Sequence, residues 1–257
     1  MQKKQEIAAR LQTAGVENAA WEAELLCEKF EGERLESAVQ RRMEHYPLQY
    51  ILGEWGFWRE SYEVSEDCLI PRADTELLVE RAIALLPEGG CFLDLCTGSG
   101  CVAISTLASR PDTTAVAVDL FPGTLALAER NAKRNHVDRR IELVRADVLS
   151  EPEIRGSFDA ILSNPPYISA ADMQTLQSEV RHEPRVALAG GEDGLDFYRA
   201  ILSRWVELLS PNGFILFEIG YDQGDALRTL AREHGFCATV LRDLCGNDRV
   251  VHLTRSC

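Results

Sequence analysis

Cys91-Phe92-Leu93-Asp94-Leu95-Cys96-Thr97-Gly98-Ser99-Gly100-Cys101-Val102-Ala103-Ile104 reads as a strand, a glycine-bearing turn and the start of a helix. Gly98 and Gly100 let the backbone approach a ligand closely, and the helix N-terminus that follows offers unpaired N–H groups. Alone, this combination is shared with dinucleotide binders and with glycine loops of no function. Its surroundings narrow it. Strand candidates at 91–95, 115–119, 141–145, 158–162, 213–219, 238–242 and 249–254 alternate with helical segments at about 101–109, 122–136, 196–209 and 222–233. The alternation predicts an α/β unit whose mostly parallel sheet is covered by helices on both faces. The last two strands lack a helix-length connection, so the final one is expected to pair antiparallel.

Ligands of such sheets sit at the carboxyl ends of the strands. The second strand, Ala115-Val116-Ala117-Val118, ends in Asp119, whose carboxylate can accept both hydroxyls of a ribose. The same acidic position suits a nicotinamide dinucleotide, so two cofactors stay open here. The third strand ends Arg145-Ala146-Asp147-Val148, which places a carboxylate and an apolar residue on the same rim, suited to the amine and face of an adenine. Asp147 reads equally well as a turn residue.

After the fourth strand comes Ser163-Asn164-Pro165-Pro166-Tyr167. Asn-Pro-Pro could simply end a strand, because proline removes a donor and restricts the residue before it. Its place at the ligand edge suggests chemistry instead. The lone pair of an amide or aromatic exocyclic nitrogen is delocalised and attacks a methyl group poorly. The Asn164 side-chain oxygen and the Pro165 carbonyl could receive both N–H hydrogens, aim the lone pair and stabilise the positive charge that develops. Tyr167 offers a flat surface to the acceptor. Rate then comes from alignment, with reacting atoms about 3–3.5 Å apart, and neither a metal nor a strong base is needed.

Ahead of the sheet, apolar residues recur at three and four in the sets Ile7, Leu11 and Ala14, then Trp21, Leu25 and Leu26, then Leu35, Ala38, Val39 and Met43. They predict three short helices separated at Gly15 and Gly32, with Asn18 as N-cap of the second. From Pro47 to about Val64 the residues turn aromatic and β-type, which reads as a hairpin-like linker,. Pro71 and Asp74 then introduce a helix carrying Leu77, Leu78, Ala82, Ile83 and Leu86. The expected units are a helical bundle at 1–46, the linker at 47–66 and the catalytic domain at 67–257.

With 27 basic and 41 acidic side chains the formal net charge is −14, which repels a polyphosphate and counts against stable nucleic-acid binding,. No apolar stretch suits a secretory signal or a membrane span, so a cytoplasmic location is expected. The eight cysteines are scattered without metal spacing and read as small buried hydrophobes in a reducing compartment,.

Several stretches together resemble the HemK/PrmC family, the glutamine methyltransferases of class-I peptide chain release factors. They are Pro47-Leu48-Gln49-Tyr50-Ile51-Leu52-Gly53, Pro71-Arg72-Ala73-Asp74-Thr75-Glu76, the turn from Asp94 to Gly100, Asn164-Pro165-Pro166-Tyr167, Glu183-Pro184-Arg185-Val186-Ala187-Leu188 and Gly191-Glu192-Asp193-Gly194-Leu195-Asp196-Phe197-Tyr198. The resemblance implies a class-I S-adenosylmethionine-dependent methyltransferase domain, Rossmann-like and seven-stranded, behind a small helical domain that helps to grip the release factor. It implies methylation of the side-chain nitrogen of the glutamine in a Gly-Gly-Gln loop. S-adenosylmethionine would meet Cys96, Thr97, Gly98, Ser99, Gly100, Asp119 and Val148, with Asp147 and Asn164 beside them. Asn164, Pro165, Pro166 and Tyr167 would receive the glutamine, the catalytic part falling to Asn164, Pro165 and Tyr167.

Cys96 stands where the family usually carries glycine, a feature shared with enzymes that methylate a glutamine of a large-subunit ribosomal protein. That substrate is one alternative, and a nucleic-acid exocyclic amine is another. A nicotinamide oxidoreductase would leave Asn164 to Tyr167 without a purpose. Glu192, Asp193 and Glu218 receive a loop or strand-end place and no sharper role.

Overall fold

The computed structural model describes residues 2–255, so Cys257 lies outside the described residues. The periodic N-terminal stretch forms α1 (Gln2–Thr13), α2 (Ala19–Lys29) and α3 (Gly32–Met43). In α3 the buried residues Leu35, Ala38, Val39 and Arg42 recur at three and four along one face,. Asn18 occupies the N-cap position of α2 but makes no side-chain capping bond.

Pro47 to Val64 departs from the hairpin expected over its whole length. Leu48–Leu52 is a short helix, α4, because Leu48, Ile51 and Leu52 share one face and bury it in the same core as Ile7, Leu11, Leu26 and Val39,. Only β1 (Glu54–Phe57) and β2 (Glu60–Glu63) pair as the antiparallel hairpin.

A 3-10 turn, Ala73–Thr75, then leads into α5 (Glu76–Leu85). The alternating part follows as β3 (Cys91–Leu95), α6 (Cys101–Ser109), β4 (Thr114–Asp119), α7 (Pro122–Arg134), β5 (Ile141–Arg145), β6 (Phe158–Ser163), α8 (Asp196–Arg204), β7 (Leu209–Glu218), α9 (Gly224–Glu233), β8 (Cys237–Arg242) and β9 (Asp248–Thr254). The α/β expectation is borne out. Seven strands form one sheet in the order β5-β4-β3-β6-β7-β9-β8, with β9 running antiparallel to both β7 and β8. The helix expected over 196–209 is shorter, since a 3-10 turn takes over at Trp205–Leu208. Trp205 is fully buried there and donates its Nε1–H to the Val148 carbonyl at 3.0 Å.

Each sheet face has its own core. Phe92 packs with Leu78, Ala103 and Leu107 on one side, and Leu93 with Ile161, Ile201 and Trp205 on the other. Successive strand residues point to opposite faces, so a strand covered on both sides reads as a continuous apolar run. Burying each such side chain contributes about 1.5–3 kcal/mol. Cys27, Cys68, Cys91, Cys96, Cys101 and Cys245 are free, of which Cys68 is buried and Cys245 exposed. Cys237 is disulfide-bonded, unlike the free small hydrophobe expected of every cysteine. No helix among the described residues is long and apolar enough to cross a membrane.

Strand order reverses between β3 and β6, since the chain leaves β3 toward β4 and β5 and returns on the far side. Loops leaving strands at such a switch point diverge to opposite faces and open a crevice. Leu95 and Ser163 are direct partners there, and Ser163 Oγ donates to the Leu95 carbonyl at 2.6 Å. The turn after β3 and the Asn-Pro-Pro-Tyr motif after β6 therefore begin side by side.

Candidate active site

The turn after β3 takes its shape from left-handed backbone at Cys96, Gly98 and Gly100, with φ of 62°, 57° and 82°. A β-carbon in that region costs about 1–2 kcal/mol, which is the physical reason for a glycine at the position of Cys96. Cys96, half-buried, follows the same path, and desolvation pushes its thiol pKa up.

Two carboxylates brace the turn. Asp94 Oδ2 accepts from Thr97 Oγ1 at 2.6 Å and from the Ala103 N–H at 3.2 Å, and burial raises its pKa to about 7. Asp119 reaches across from β4. Its Oδ2 accepts from the Gly98 N–H at 3.0 Å and its Oδ1 from the Phe121 N–H at 3.1 Å. Burial raises the Asp119 pKa, against the pull of those N–H groups. Each oxygen keeps acceptor capacity for a ligand. Asp147 is held in the same manner, Oδ1 accepting from the Leu149 N–H at 2.9 Å and Oδ2 from the Ser150 hydroxyl at 3.3 Å. That is the turn-forming part the residue type also suits.

A cavity of about 570 Å³ lies between these loops. Cys96, Thr97, Gly98, Ser99, Asp119, Asp147, Val148 and Asn164 line it. Gly100 does not, and instead caps α6 through its backbone. Ser99 Oγ is buried with no hydrogen-bond partner among the described residues. A second cavity of about 330 Å³ shares Leu69, Arg72, Asn164 and Ala187 with the first. Asn164, Pro165 and Tyr167 line this second cavity, while Pro166 faces the first. The motif is thus the partition between two spaces, with Asn164 common to both.

Asn164 is oriented by Thr75, which sequence reasoning passed over. Its Nδ2 donates to Thr75 Oγ1 at 3.1 Å, which occupies the amide nitrogen and leaves Oδ1 as a hydrogen-bond acceptor,. The Pro165 carbonyl accepts no hydrogen bond from the described residues. Tyr167 donates its hydroxyl to Glu218 Oε1 at 3.4 Å, and burial raises its pKa. Its carbonyl accepts from Gln223 Nε2 at 3.0 Å.

Thr175, Leu176, Gln177, Val180, Ala187 and Leu188 form one wall of the second cavity. Glu183, buried, accepts from the Ile70 N–H at 3.0 Å and pairs with Arg72. Glu179 accepts from Arg42 Nη2 of α3 at 2.6 Å, and His182 packs edge-on against Tyr46 with ring centres 5.3 Å apart. Thr75 and Glu183 fall within stretches that the sequence singled out, though neither carried a role there. No signal in the chain pointed to Gln223. Among the described residues no group of three or more His, Cys, Asp or Glu could hold a metal ion.

The methyltransferase small domain profile matches residues 73–192. A release factor glutamine methyltransferase of Geobacter sulfurreducens is 44% identical over 215 residues, covering 83% of this chain and 75% of its own length. One of Cereibacter sphaeroides is 44% identical over 220 residues, covering 85% and 78%. A solved methyltransferase from Pyrococcus furiosus is alike in fold, with a TM-score of 0.59 at 17% identity over 76% of this chain and 89% of its own.

Proposed function

The chain belongs to the release factor glutamine methyltransferase family, and on that premise we propose that it methylates the side-chain amide nitrogen of a release-factor glutamine where its two cavities meet. As a member of that family it is a methyltransferase with S-adenosylmethionine as methyl donor. The residues present fit that donor. Asp119 offers carboxylate oxygens for a ribose, Val148 an apolar rim for a base, and Ser99 Oγ a buried hydroxyl without a partner among the described residues.

Bound S-adenosylmethionine supplies a methyl group on a sulfonium, which becomes a neutral thioether as the S–CH₃ bond pair returns to sulfur. The chain's own residues align the acceptor. Asn164 Oδ1 and the Pro165 carbonyl take the two N–H groups of the glutamine, so its lone pair faces the first cavity and forms the new N–C bond. One N–H proton is then released to water. Both oxygens stabilise the positive charge that builds on nitrogen. The observation that carries this reading is Asn164 on the shared wall, with its nitrogen committed to Thr75 and its oxygen left over. The acceptor we read is the glutamine of a Gly-Gly-Gln loop in a class-I release factor, met in the cytoplasm.

The test is transfer of a labelled methyl group to a release factor, its Gln→Ala variant, a ribosomal protein and DNA. Label is expected on the intact release factor alone. DNA labelled in place of protein would overturn the reading.

Asp119→Ala is expected to weaken S-adenosylmethionine about 10- to 100-fold by calorimetry, because charge-assisted bonds to a ribose and the brace on Gly98 are lost together,. Equal affinity in both proteins would contradict the ribose role.

We read residues 1–46 as the unit that helps to grip the release factor, residues 47–66 as its linker and 67–257 as the catalytic domain. The Arg42–Glu179 and Tyr46–His182 contacts support this, since they tie the N-terminal unit to the segment that carries Gln177 and Val180 of the second cavity. Glu179→Gln keeps the fold, and its acceptor KM is expected to rise by up to about fivefold, the scale of one half-exposed ion pair,. An unchanged KM would detach the helices from acceptor binding.

A further inference from the structure

Neither proline of the motif after β6 has an N–H to give, and neither proline carbonyl accepts a hydrogen bond from the described residues,. The main chain that carries the Pro165 carbonyl is therefore fixed from its two ends. Upstream, Ser163 is paired with Leu95 inside the sheet. Downstream, the Tyr167 carbonyl accepts from Gln223 Nε2 at 3.0 Å, and the Ile168 N–H donates to the Leu188 carbonyl at 2.9 Å.

Gln223 stands between the end of β7 and the start of α9, and both ends of its amide are engaged. Oε1 accepts from the Gly220 N–H at 2.9 Å, while Nε2 donates to the Tyr167 carbonyl and, at 3.3 Å, to the Gly194 carbonyl. An amide NH₂ has two hydrogens, so each carbonyl takes one. Turned over, the amide would set its oxygen against two carbonyls and its NH₂ against an N–H, so one orientation alone satisfies all three partners. The motif, the loop through Gly194 and the turn after β7 thus meet at a single side chain. There is no spare room at the meeting point. A β-carbon on Gly194 would collide with the Tyr167 carbonyl oxygen and come within 2.7 Å of Gln223 Nε2.

We propose that Gln223 is a positioning residue of the acceptor site, which clamps the Tyr167 carbonyl beside Gly194 and thereby fixes the direction of the Pro165 carbonyl two residues upstream. The proposal rests on the glutamine reading above, in which that carbonyl takes one acceptor N–H. Proline rings lock φ, so ψ at Pro165 and Pro166 is what can turn the Pro165 carbonyl, and an anchor at Tyr167 limits both. A misdirected carbonyl spoils the line of attack more than it weakens the grip on the acceptor, so the loss falls on kcat and leaves KM in place.

Two substitutions separate this role from simple support of the turn before α9. Gln223→Glu keeps an oxygen for the Gly220 N–H and places an acidic group at a helix N-terminus, where it is favoured, but sets its other oxygen against the Tyr167 and Gly194 carbonyls,. Gln223→Met has similar length and neither function. With a release factor as acceptor, Gln223→Glu is expected to lower kcat about 100-fold and Gln223→Met about tenfold, with acceptor KM and S-adenosylmethionine affinity within about twofold of wild type. Thermal midpoints of both should stay within about 4 °C of wild type. A role confined to the turn gives the opposite order, with Gln223→Glu near wild type and Gln223→Met the slower, and that order overturns the proposal. So does wild-type kcat in both variants, or a loss of donor affinity as large as the loss of kcat. A wild type that leaves the release factor unlabelled would refute the glutamine reading and the proposal with it, whereas a labelling wild type beside an undiminished Gln223→Glu refutes the part given to Gln223 alone.

Discussion

Asn164→Ala is expected to lower turnover about 100- to 1,000-fold, the scale seen when one preorganised hydrogen-bonding group is removed from a site of developing charge. Alanine deletes the oxygen that takes one acceptor N–H and leaves Pro165 alone to grip the amide. The lone pair is then free to rotate off the line of displacement, so alignment and charge stabilisation fall together. S-adenosylmethionine affinity should stay within about threefold, because the turn from Cys96 to Gly100 and the Asp119 carboxylate remain in place,. Single-turnover methyl transfer beside calorimetry separates the two effects. Wild-type turnover in the variant would remove Asn164 from the mechanism, and a parallel collapse of donor affinity would make it a donor ligand instead.

Gly190→Ala should be nearly as damaging, although Gly190 touches neither cavity. A β-carbon there would meet the Pro166 carbonyl at 2.7 Å and Tyr167 Cα at 2.7 Å. Both are backbone atoms of the partition and cannot swing aside. The Gly190 N–H also donates to the Ile168 carbonyl at 2.9 Å, so the two segments are clamped at the point of contact. Relief requires the Pro166-Tyr167 backbone to move by a sizeable fraction of an ångström, and a shift of about 1 Å in a positioned group can cost about 100-fold in rate. Overpacking of this kind also costs about 1–3 kcal/mol of stability. The expected outcome is turnover reduced about 100-fold in a protein that still folds and binds its donor. A thermal melt alongside kinetics checks it, and turnover within about twofold of wild type would show that the partition can yield.

The order of strands and helices was readable along the chain because a sheet covered on both faces demands apolar runs separated by amphipathic turns of helix. The rim of the first cavity was equally readable. Gly98, Asp119 and Val148 each end or follow a strand, so locating the strand locates the residue on the rim. The motif from Asn164 to Tyr167 stood out because two prolines after a strand serve regular structure badly.

Other features were hidden. Pro47 to Leu52 reads as β-type by composition, yet Leu48, Ile51 and Leu52 form a helix because the N-terminal core takes that face. Asp147 lines the first cavity while each of its oxygens also accepts a bond from the local turn, a double part that residue type alone does not reveal.

Local pattern alone thus determined the α/β fold, the edge of the sheet beside which the cavities open and the residues standing on that edge. Tertiary structure alone decided that Asn164 divides two cavities, that Thr75 fixes its amide from 89 positions away along the chain, and that Glu218 and Gln223 support the loop from below. The physical reason is range. Periodicity and turn chemistry act over a few residues, whereas the direction of a side-chain amide is set by whichever donor or acceptor the folded chain brings within about 3 Å.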